Sequence, residues 1–199
     1  MAEPSGDSEP IYFWRETDPQ NGYLSQWYYC PFRDDKDPNI IYETAEHYMM
    51  YQKALLFNDH PSAHKILSKG QTPRKVKSLG RKVANFSEKT WTAKREEVVR
   101  QGNYLKFTNA VKEIGFSRGS SSSAGSEPLV GGSLRETLLS TGERELVEAS
   151  PFDAVWGIGL KAADADGNRE AWGLNLLGRA LMDVRKRLRE EKEAAARVE

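Results

Sequence analysis

The chain has 199 residues, with 29 basic and 29 acidic side chains and a formal net charge of zero. This balance lacks the positive field of general nucleic-acid or membrane-surface binders, so any nucleic-acid substrate is expected to be an end or a single nucleotide. One cysteine excludes an internal disulfide and the lack of an apolar run of about 18 residues excludes a membrane-spanning helix, so we expect a soluble, intracellular, cytoplasmic protein.

The N-terminal part is predicted to pass from a flexible tail through short strands into a helix. Residues 1–9 are polar and rich in Pro, Gly and Ser, which is typical of a tail that need not be ordered. The β-branched and aromatic stretch from Ile11 to Trp14 predicts a short strand. In "NIIYETAEHY" a second strand is followed by Thr44, a preferred N-cap residue, so a helix is expected to begin there.

The helix "TAEHYMMYQKALLF" carries two opposite charges at an unusual spacing. At about 100° per residue, its stripe consists of Ala45, Tyr48, Met49, Gln52, Leu55 and Leu56. Glu46 and Lys53 fall in an extension of this stripe, two turns apart and almost in line, whereas helical ion pairs are spaced three or four residues apart. Either these long side chains reach water from the edge of the apolar arc, or they are held there for a function.

Further along the chain, helices are predicted to alternate with turns and one strand. Two helices lie between residues 61 and 80, separated by the turn "KGQTPRK", and an amphipathic helical region covers residues 87–116, loosened around Gly102. Residues 117–133 are rich in Ser and Gly and predict a flexible insertion. After this insertion, "LRETLLSTG" predicts a helix and "ELVEAS" predicts a strand.

The last helix has apolar residues at helical spacing up to residue 188, and residues 190–199 are predicted to form a charged tail. No internal repeat of solenoid period is present in the sequence. Together the elements predict an α+β fold, a single, predominantly helical domain with a few short strands that covers residues 10–189.

The common signatures of nucleotide and metal chemistry are absent from the sequence. There is no GxxxxGK[ST] phosphate loop, no GxGxxG after a strand and no HExxH. His60 and His64 have the spacing of paired ligands, but Pro61 lies between them and no third ligand stands nearby. We therefore expect neither a metal nor another cofactor.

Two open interpretations apply to the stretch "SPFDAVWGIGL" and to two other polar residues. Gly157 and Gly159 would let the backbone approach a ligand and hold a phosphate through their N–H groups, or they form an ordinary turn beside a core Trp156. Asn175 either caps the last helix or contacts a ligand. Arg81 pairs either with a phosphate or with a nearby acid.

Seven segments and one tryptophan occur in an order that resembles the NADAR family, the YbiA-like N-glycosidases. The segments are "AEHYMMYQKA", "LGR", "GNYLKF", "LLSTG", "LVEAS", "FDAVWGIGL" and "NLLGRALMDVR", and the tryptophan is Trp91, ten residues after the arginine of "LGR". The resemblance covers roughly residues 11–188. The chain departs from the family pattern at "LSQW", which replaces Phe-Ser-Asn-Phe, and in the serine-rich insertion, which has no expected counterpart.

The resemblance implies hydrolysis of the bond between a ribose C1 and a nitrogen. Some members of the family resemble ADP-ribosyl glycohydrolases that remove ADP-ribose from guanine bases, and the larger aromatic surface of "LSQW" favours this activity on nucleotides or nucleic-acid ends. Other members resemble hydrolases of riboflavin-pathway intermediates, which are aminated pyrimidine ribose phosphates. A third alternative is a module that binds ADP-ribose without turning it over.

In the favoured mechanism, Lys53 attacks C1 of the opened sugar as a Schiff-base nucleophile, because a lysine drawn into an apolar arc is costly unless it is used. Glu46 would move protons or hold the ribose hydroxyls. Burial would lower the pKa of this lysine, whereas a close carboxylate would raise it. In the rival mechanism Glu46 and Asp153 act as an acid and a stabilising carboxylate, and Lys53 only binds the substrate.

The resemblance also implies a set of substrate-binding residues. Aromatic residues would stack on the bases, the glycine pair would cradle phosphate, an arginine would neutralise it, and an asparagine would fix the ribose or a base edge. In chain order the set is Trp27, Tyr48, Arg81, Trp91, Trp156, Gly157, Gly159 and Asn175. Each of these aromatic residues could instead pack in the hydrophobic core, and this alternative is strongest for Trp91.

Overall fold

Short strands and capped helices follow each other closely in this computed structural model, which describes residues 9–111 and 132–198. The strands are β1 (Ile11–Phe13), β2 (Phe32–Arg33), β3 (Ile41–Tyr42) and β4 (Leu146–Glu148). The helices are α1 (Ala45–Leu56), α2 (His60–Leu67), α3 (Pro73–Gly80), α4 (Glu88–Thr108), α5 (Leu134–Leu139) and α6 (Leu176–Ala196). The predicted α+β, predominantly helical fold is confirmed. Most of the predicted tail at 1–9 and of the predicted insertion at 117–133 lies outside the described residues.

The first turns of the helices explain where most of them begin. Side-chain oxygens of Thr44, Asp59, Thr72, Ser87 and Ser133 each accept a backbone N–H from the first turn of the following helix. These bonds satisfy N–H groups that have no partner within the helix. The predicted N-cap of α1 is thereby confirmed.

The described residues belong to two compact units. The first unit contains residues 9–25 and 132–198, and the second contains residues 26–111. Neither of them, in the described ranges, contains a helix long and apolar enough to cross a membrane.

In the second unit, α1 packs against α2, α3 and α4. Close packing requires glycine at two of these contacts, because a Cβ at Gly80 would overlap Met50 and a Cβ at Gly102 would crowd the ring of Tyr48. The expected loosening at Gly102 is wrong, since α4 continues through this residue as one helix. Contact with the tyrosine ring explains the glycine instead.

In the first unit, β1 and β4 pair in parallel, with Ile11 opposite Leu146 and Phe13 opposite Glu148. Helix α6 packs against β4. This helix runs on to Ala196, well into the residues predicted as a charged tail. The extension is mostly exposed.

Candidate active site

Lys53 lies near the C-terminal end of α1 with only 9% of its surface exposed. Its Nζ atom is 4.2 Å from the ring centroid of Phe86 and 5.2 Å from that of Trp91. Both distances are within the range of a cation–π interaction. Within residues 9–111 and 132–198, no carboxylate forms an ion pair with this amine.

Two features of the loop before α4 place these rings. Ser87 is the N-cap of α4, which puts Phe86 just before the cap and Trp91 at the fourth helical position, the spacing of a hydrophobic staple. The Oδ2 atom of Asp59 accepts the N–H of Ala84 at 2.8 Å and so ties the loop to the start of α2. The rings beside Lys53 are thus set by a helix start and by a loop anchor.

Burial lowers the pKa of Lys53 below its ordinary value. The carboxylates of Glu88 and Glu46 act in the opposite direction, and Arg81 adds a smaller lowering effect. Desolvation is the largest of these contributions because it penalises only the charged ammonium. The effect of burial on the pKa of Lys53 therefore exceeds that of the carboxylates, and the amine is more nucleophilic than an exposed lysine.

Glu46 is also buried, with 5% of its surface exposed in the first turn of α1. Its backbone N–H donates to the carbonyl of Gln26 at 3.0 Å. The side-chain oxygen of Gln26 accepts a hydrogen bond from the amide of Asn103 at 3.1 Å, which links the N-terminal end of α1 to α4. The burial of Glu46 and Lys53 argues against the alternative in which both side chains reach water.

The remaining predicted residues of the second unit differ in exposure. Tyr48 is buried in an aromatic cluster, with its ring centroid 5.0 Å from that of Tyr42. Trp27 is half-buried, whereas Arg81 is exposed and has no ion pair with a described carboxylate. Among the predicted binding residues of this unit, Arg81 is therefore an exposed cation without a described ion pair. Trp27 has the most accessible aromatic ring.

In the first unit, Asp153 organises the predicted glycine loop. Its Oδ1 atom accepts the N–H groups of Val155 at 3.0 Å and Trp156 at 2.8 Å. The N–H of Gly159, which has a φ of +74°, donates to the Asp153 carbonyl at 3.1 Å. A Cβ at Gly157 would crowd the carbonyl of Glu148. Turn geometry and close backbone approach thus account for both glycines, and their phosphate contact stays a prediction.

Asn175 has the left-handed φ of 48° and makes no side-chain cap on α6. Its Oδ1 accepts the N–H of Glu148 at 3.0 Å, and its Nδ2 donates to the carbonyl of Leu146 at 2.9 Å. Asn175 thus occupies the N-cap position of α6, as one of the two interpretations expected, but its side chain does not cap the helix. The amide instead ties the start of α6 to β4, and its contact with ribose or base stays a prediction.

The predicted site residues are divided between the two units. Glu46, Lys53 and the predicted binding residues Trp27, Tyr48, Arg81 and Trp91 lie in the second unit, whereas Asp153, Trp156, Gly157, Gly159 and Asn175 lie in the first. Sequence reasoning missed Phe86 and Glu88. The staple spacing in "FSEKTW" is a local signal that would have drawn attention to Phe86.

The described residues contain no cluster of three or more His, Cys, Asp or Glu side chains suited to a metal ion. Lys53 provides a buried amine that can act as a base or nucleophile. Glu46 provides a buried carboxyl group that can exchange protons. An amine nucleophile and a proton donor are one pair of groups that can cleave a bond to an anomeric carbon.

Known proteins share this fold and part of the sequence. The NMR structure of the E. coli protein YbiA matches with a TM-score of 0.65 and 26% identity, over 93% of this chain and 88% of that one. An N-glycosidase of Acanthamoeba polyphaga mimivirus is 37% identical over 166 residues, which cover 81% of this chain and 85% of the relative. A riboflavin biosynthesis protein of Vibrio vulnificus is 31% identical over 182 residues, 92% of this chain but 39% of that protein.

The fold and these relatives define the class of protein: the chain is an enzyme, a hydrolase of the N-glycosidase type. Residues 12–189 match the NADAR domain, and the chain belongs to this family. The resemblance drawn from the sequence motifs is thereby confirmed. The match spans nearly all of the residues predicted to form the domain.

Proposed function

We propose that the enzyme removes ADP-ribose from guanine bases of nucleotides or nucleic-acid ends, by cleaving the ribose C1–N bond through a Schiff base on Lys53. The observation that carries this proposal is the state of Lys53. It is a buried lysine with a lowered pKa that makes no ion pair with a described carboxylate. A lysine of this kind has a larger neutral fraction at physiological pH and so a free lone pair for attack.

The bonds of Asp153 favour the lysine mechanism over the one that uses two carboxylates. A carboxylate that accepts two backbone N–H groups within three residues is already engaged in holding its own loop. We assign Asp153 to loop organisation in the first instance. Its role as a stabilising carboxylate remains the alternative.

Glu46 is the proposed proton carrier. A positioned acid contributes about 10²- to 10⁴-fold by delivering a proton to a poor leaving group. Burial in the first turn of α1 keeps this carboxyl group away from bulk water. It therefore acts on the substrate rather than exchanging freely with solvent.

An ADP-ribosyl substrate suits the exposed residues of the second unit. Arg81 supplies a positive charge with no described ion-pair partner, which a pyrophosphate would neutralise. Trp27 supplies a half-exposed ring on which a base can stack. Trp91 and Tyr48 are further aromatic residues of this unit that we propose for substrate binding. The assignment of Trp156, Gly157, Gly159 and Asn175 to substrate binding stays a prediction from the family resemblance.

A second candidate is hydrolysis of riboflavin-pathway intermediates, which are aminated pyrimidine ribose phosphates. The relative from Vibrio vulnificus, a riboflavin biosynthesis protein, favours it. The ribose chemistry and the role of Lys53 would be the same. Only the leaving base and the phosphate group attached to the ribose would differ.

Borohydride trapping tests the proposal. The protein is incubated with ADP-ribose in one tube and ribose 5-phosphate in another, reduced, and analysed by intact and peptide mass spectrometry. An adduct on Lys53 with ADP-ribose is the expected result, and Lys75→Ala, which removes an exposed lysine of α3, serves as the control that keeps the adduct. An adduct only with ribose 5-phosphate would favour the riboflavin-type substrate. If no adduct forms with either sugar, the covalent lysine is excluded and the two-carboxylate mechanism takes its place.

A further inference from the structure

Phe86 combines exposure with a position against the reactive nitrogen. Large aromatic residues are usually buried, but 42% of the surface of Phe86 is exposed. Its ring also packs edge-on against Phe57, with ring centroids 5.3 Å apart. The ring is therefore supported on one side by Phe57 and lies 4.2 Å from Lys53 Nζ.

The backbone around Phe86 is held in one conformation. Asn85 adopts a left-handed φ of 55°, a conformation that asparagine tolerates better than most residues. Ala84 is bonded to Asp59, and Ser87 caps α4. These contacts fix the loop on both sides of Phe86, so its ring position does not depend on its own apolar contacts alone.

We propose that Phe86, together with Trp91, stabilises the positive charge that develops on Lys53 Nζ when the Schiff base forms. This inference rests on the proposed function. The negative face of an aromatic ring attracts a cation, and the attraction is stronger where water is excluded. Two rings at 4.2 and 5.2 Å from one buried nitrogen thus form a site for a cation at the atom that becomes the iminium.

The reaction places that charge as follows. The lone pair of the neutral Lys53 amine forms a bond to C1, and the C1–N bond to the base breaks with its electron pair on the base. One amine proton passes to the base, and Glu46 supplies a second proton to the ring oxygen as the sugar opens. The product is a protonated iminium between Nζ and C1, with a net charge of one. Water then adds to C1, the amine leaves, and the proton returns to Glu46.

The rings of Phe86 and Trp91 act on the formation of the iminium, the step in which Lys53 Nζ becomes positively charged. The free amine is neutral before attack and cationic as an iminium, so a cation–π interaction is stronger in the transition state than in the starting complex. Only interactions that strengthen on the way to the transition state increase the rate. Phe86 therefore accelerates formation of the iminium rather than tightening substrate binding.

A fluorinated series at position 86 tests this role. Phe86 is replaced by mono-, tri- and pentafluorophenylalanine, which keep the shape of the ring while withdrawing electron density from its face. The single-turnover rate of adduct formation is measured at pH values where the rate no longer changes with pH, so that the titration of Lys53 does not contribute. We expect the rate to fall stepwise with fluorination, by about 2- to 30-fold in total, as the cation–π range predicts.

Matched variants separate charge stabilisation from packing. Phe86→Leu keeps an apolar side chain without a π face and is expected to fall to the rate of the pentafluoro variant or below it. Tyr29→Leu removes a ring that is 41% exposed in the same unit and is expected to keep the wild-type rate. Far-ultraviolet circular dichroism and melting temperature report whether any variant has lost its fold.

The outcomes distinguish the two proposals. A wild-type protein that forms no reducible adduct overturns the covalent function itself. An adduct that forms at the same rate throughout the fluorinated series overturns the role of Phe86 while leaving Lys53 as the nucleophile.

Discussion

At Lys53, burial and two carboxylates act on the same ammonium group in opposite directions. The structure resolves the balance because the surroundings of the amine are the rings of Phe86 and Trp91 rather than water. Removal of hydration disfavours the charged form, and the opposing effect of Glu88 and Glu46 is smaller. Burying a lysine lowers the stability of the folded protein, so a lysine in this position is expected to serve the function of the protein. Its replacement tests this expectation.

Lys53→Ala is expected to abolish turnover while the protein remains folded, because the nucleophile is removed and a partly desolvated charge disappears with it. Steady-state hydrolysis of an ADP-ribosylated guanine nucleotide measures the first effect, and thermal melting measures the second. Lys75→Ala on the exposed face of α3 is the matched control and should retain activity. Substantial remaining turnover in Lys53→Ala would contradict the covalent mechanism.

Glu46→Gln is expected to reduce kcat by at least tenfold, because the amide cannot deliver the proton that the ring oxygen or base needs. The substitution preserves size and the buried position of the side chain. Measuring kcat and KM across pH separates the loss of a proton donor from a loss of binding. An unchanged kcat would remove Glu46 from the chemistry.

At the scale of the elements, the start of α6 and the strand β4 are packed so closely that one contact has no room for a methyl group. A Cβ at Gly178 would overlap the backbone carbonyl of Leu146 and the amide of Asn175. That amide is itself bonded to Leu146 and to Glu148. A shift of α6 would therefore break the bonds that connect it to the parallel strand pair.

Gly178→Ala is expected to lower the free energy of unfolding by about 1–3 kcal/mol, because overpacking against backbone outweighs the gain in helix propensity. Gly167→Ala is the matched control, since among the described residues no heavy atom beyond the glycine and its chain neighbours lies within 4 Å of the Cβ it would add. Urea unfolding of both variants measures the difference. Equal stability of the two variants would show that α6 can move away from β4 at little cost.

At the scale of the whole molecule, Lys106 links stability to pH. It is fully buried near the end of α4, and burial lowers its pKa to about 8. Its Nζ lies 5.6 Å from the ring centroid of Tyr28 and 5.4 Å from that of Phe107. In the unfolded chain the same amine has its ordinary pKa of 10.5. Between these values the unfolded chain binds more protons than the folded one.

The free energy of unfolding is therefore expected to rise with pH between about 8 and 10.5 through this lysine, and to gain nothing from it below that window. Over the whole shift the effect is about 3 kcal/mol. Lys106→Met should remove the dependence, so the stability of the variant relative to wild type should fall as pH rises through the window.

Urea unfolding at several pH values measures this difference, with Lys94→Met as the control on the exposed side of the same helix. A constant difference between Lys106→Met and wild type across the window would show that the lysine has its ordinary pKa in the folded protein.

Local sequence was sufficient for most helices, for three of the four short strands and for the family, because side-chain periodicity, caps and turns act over a few residues. It missed β2, and it ended the last helix too early. It also singled out Glu46 and Lys53, since their spacing on α1 is unlike that of a surface ion pair. The tertiary structure alone decided that both are buried and that burial dominates the pKa of Lys53. Desolvation depends on atoms brought in from distant positions, here the rings of Phe86 and Trp91, and no spacing within α1 encodes them.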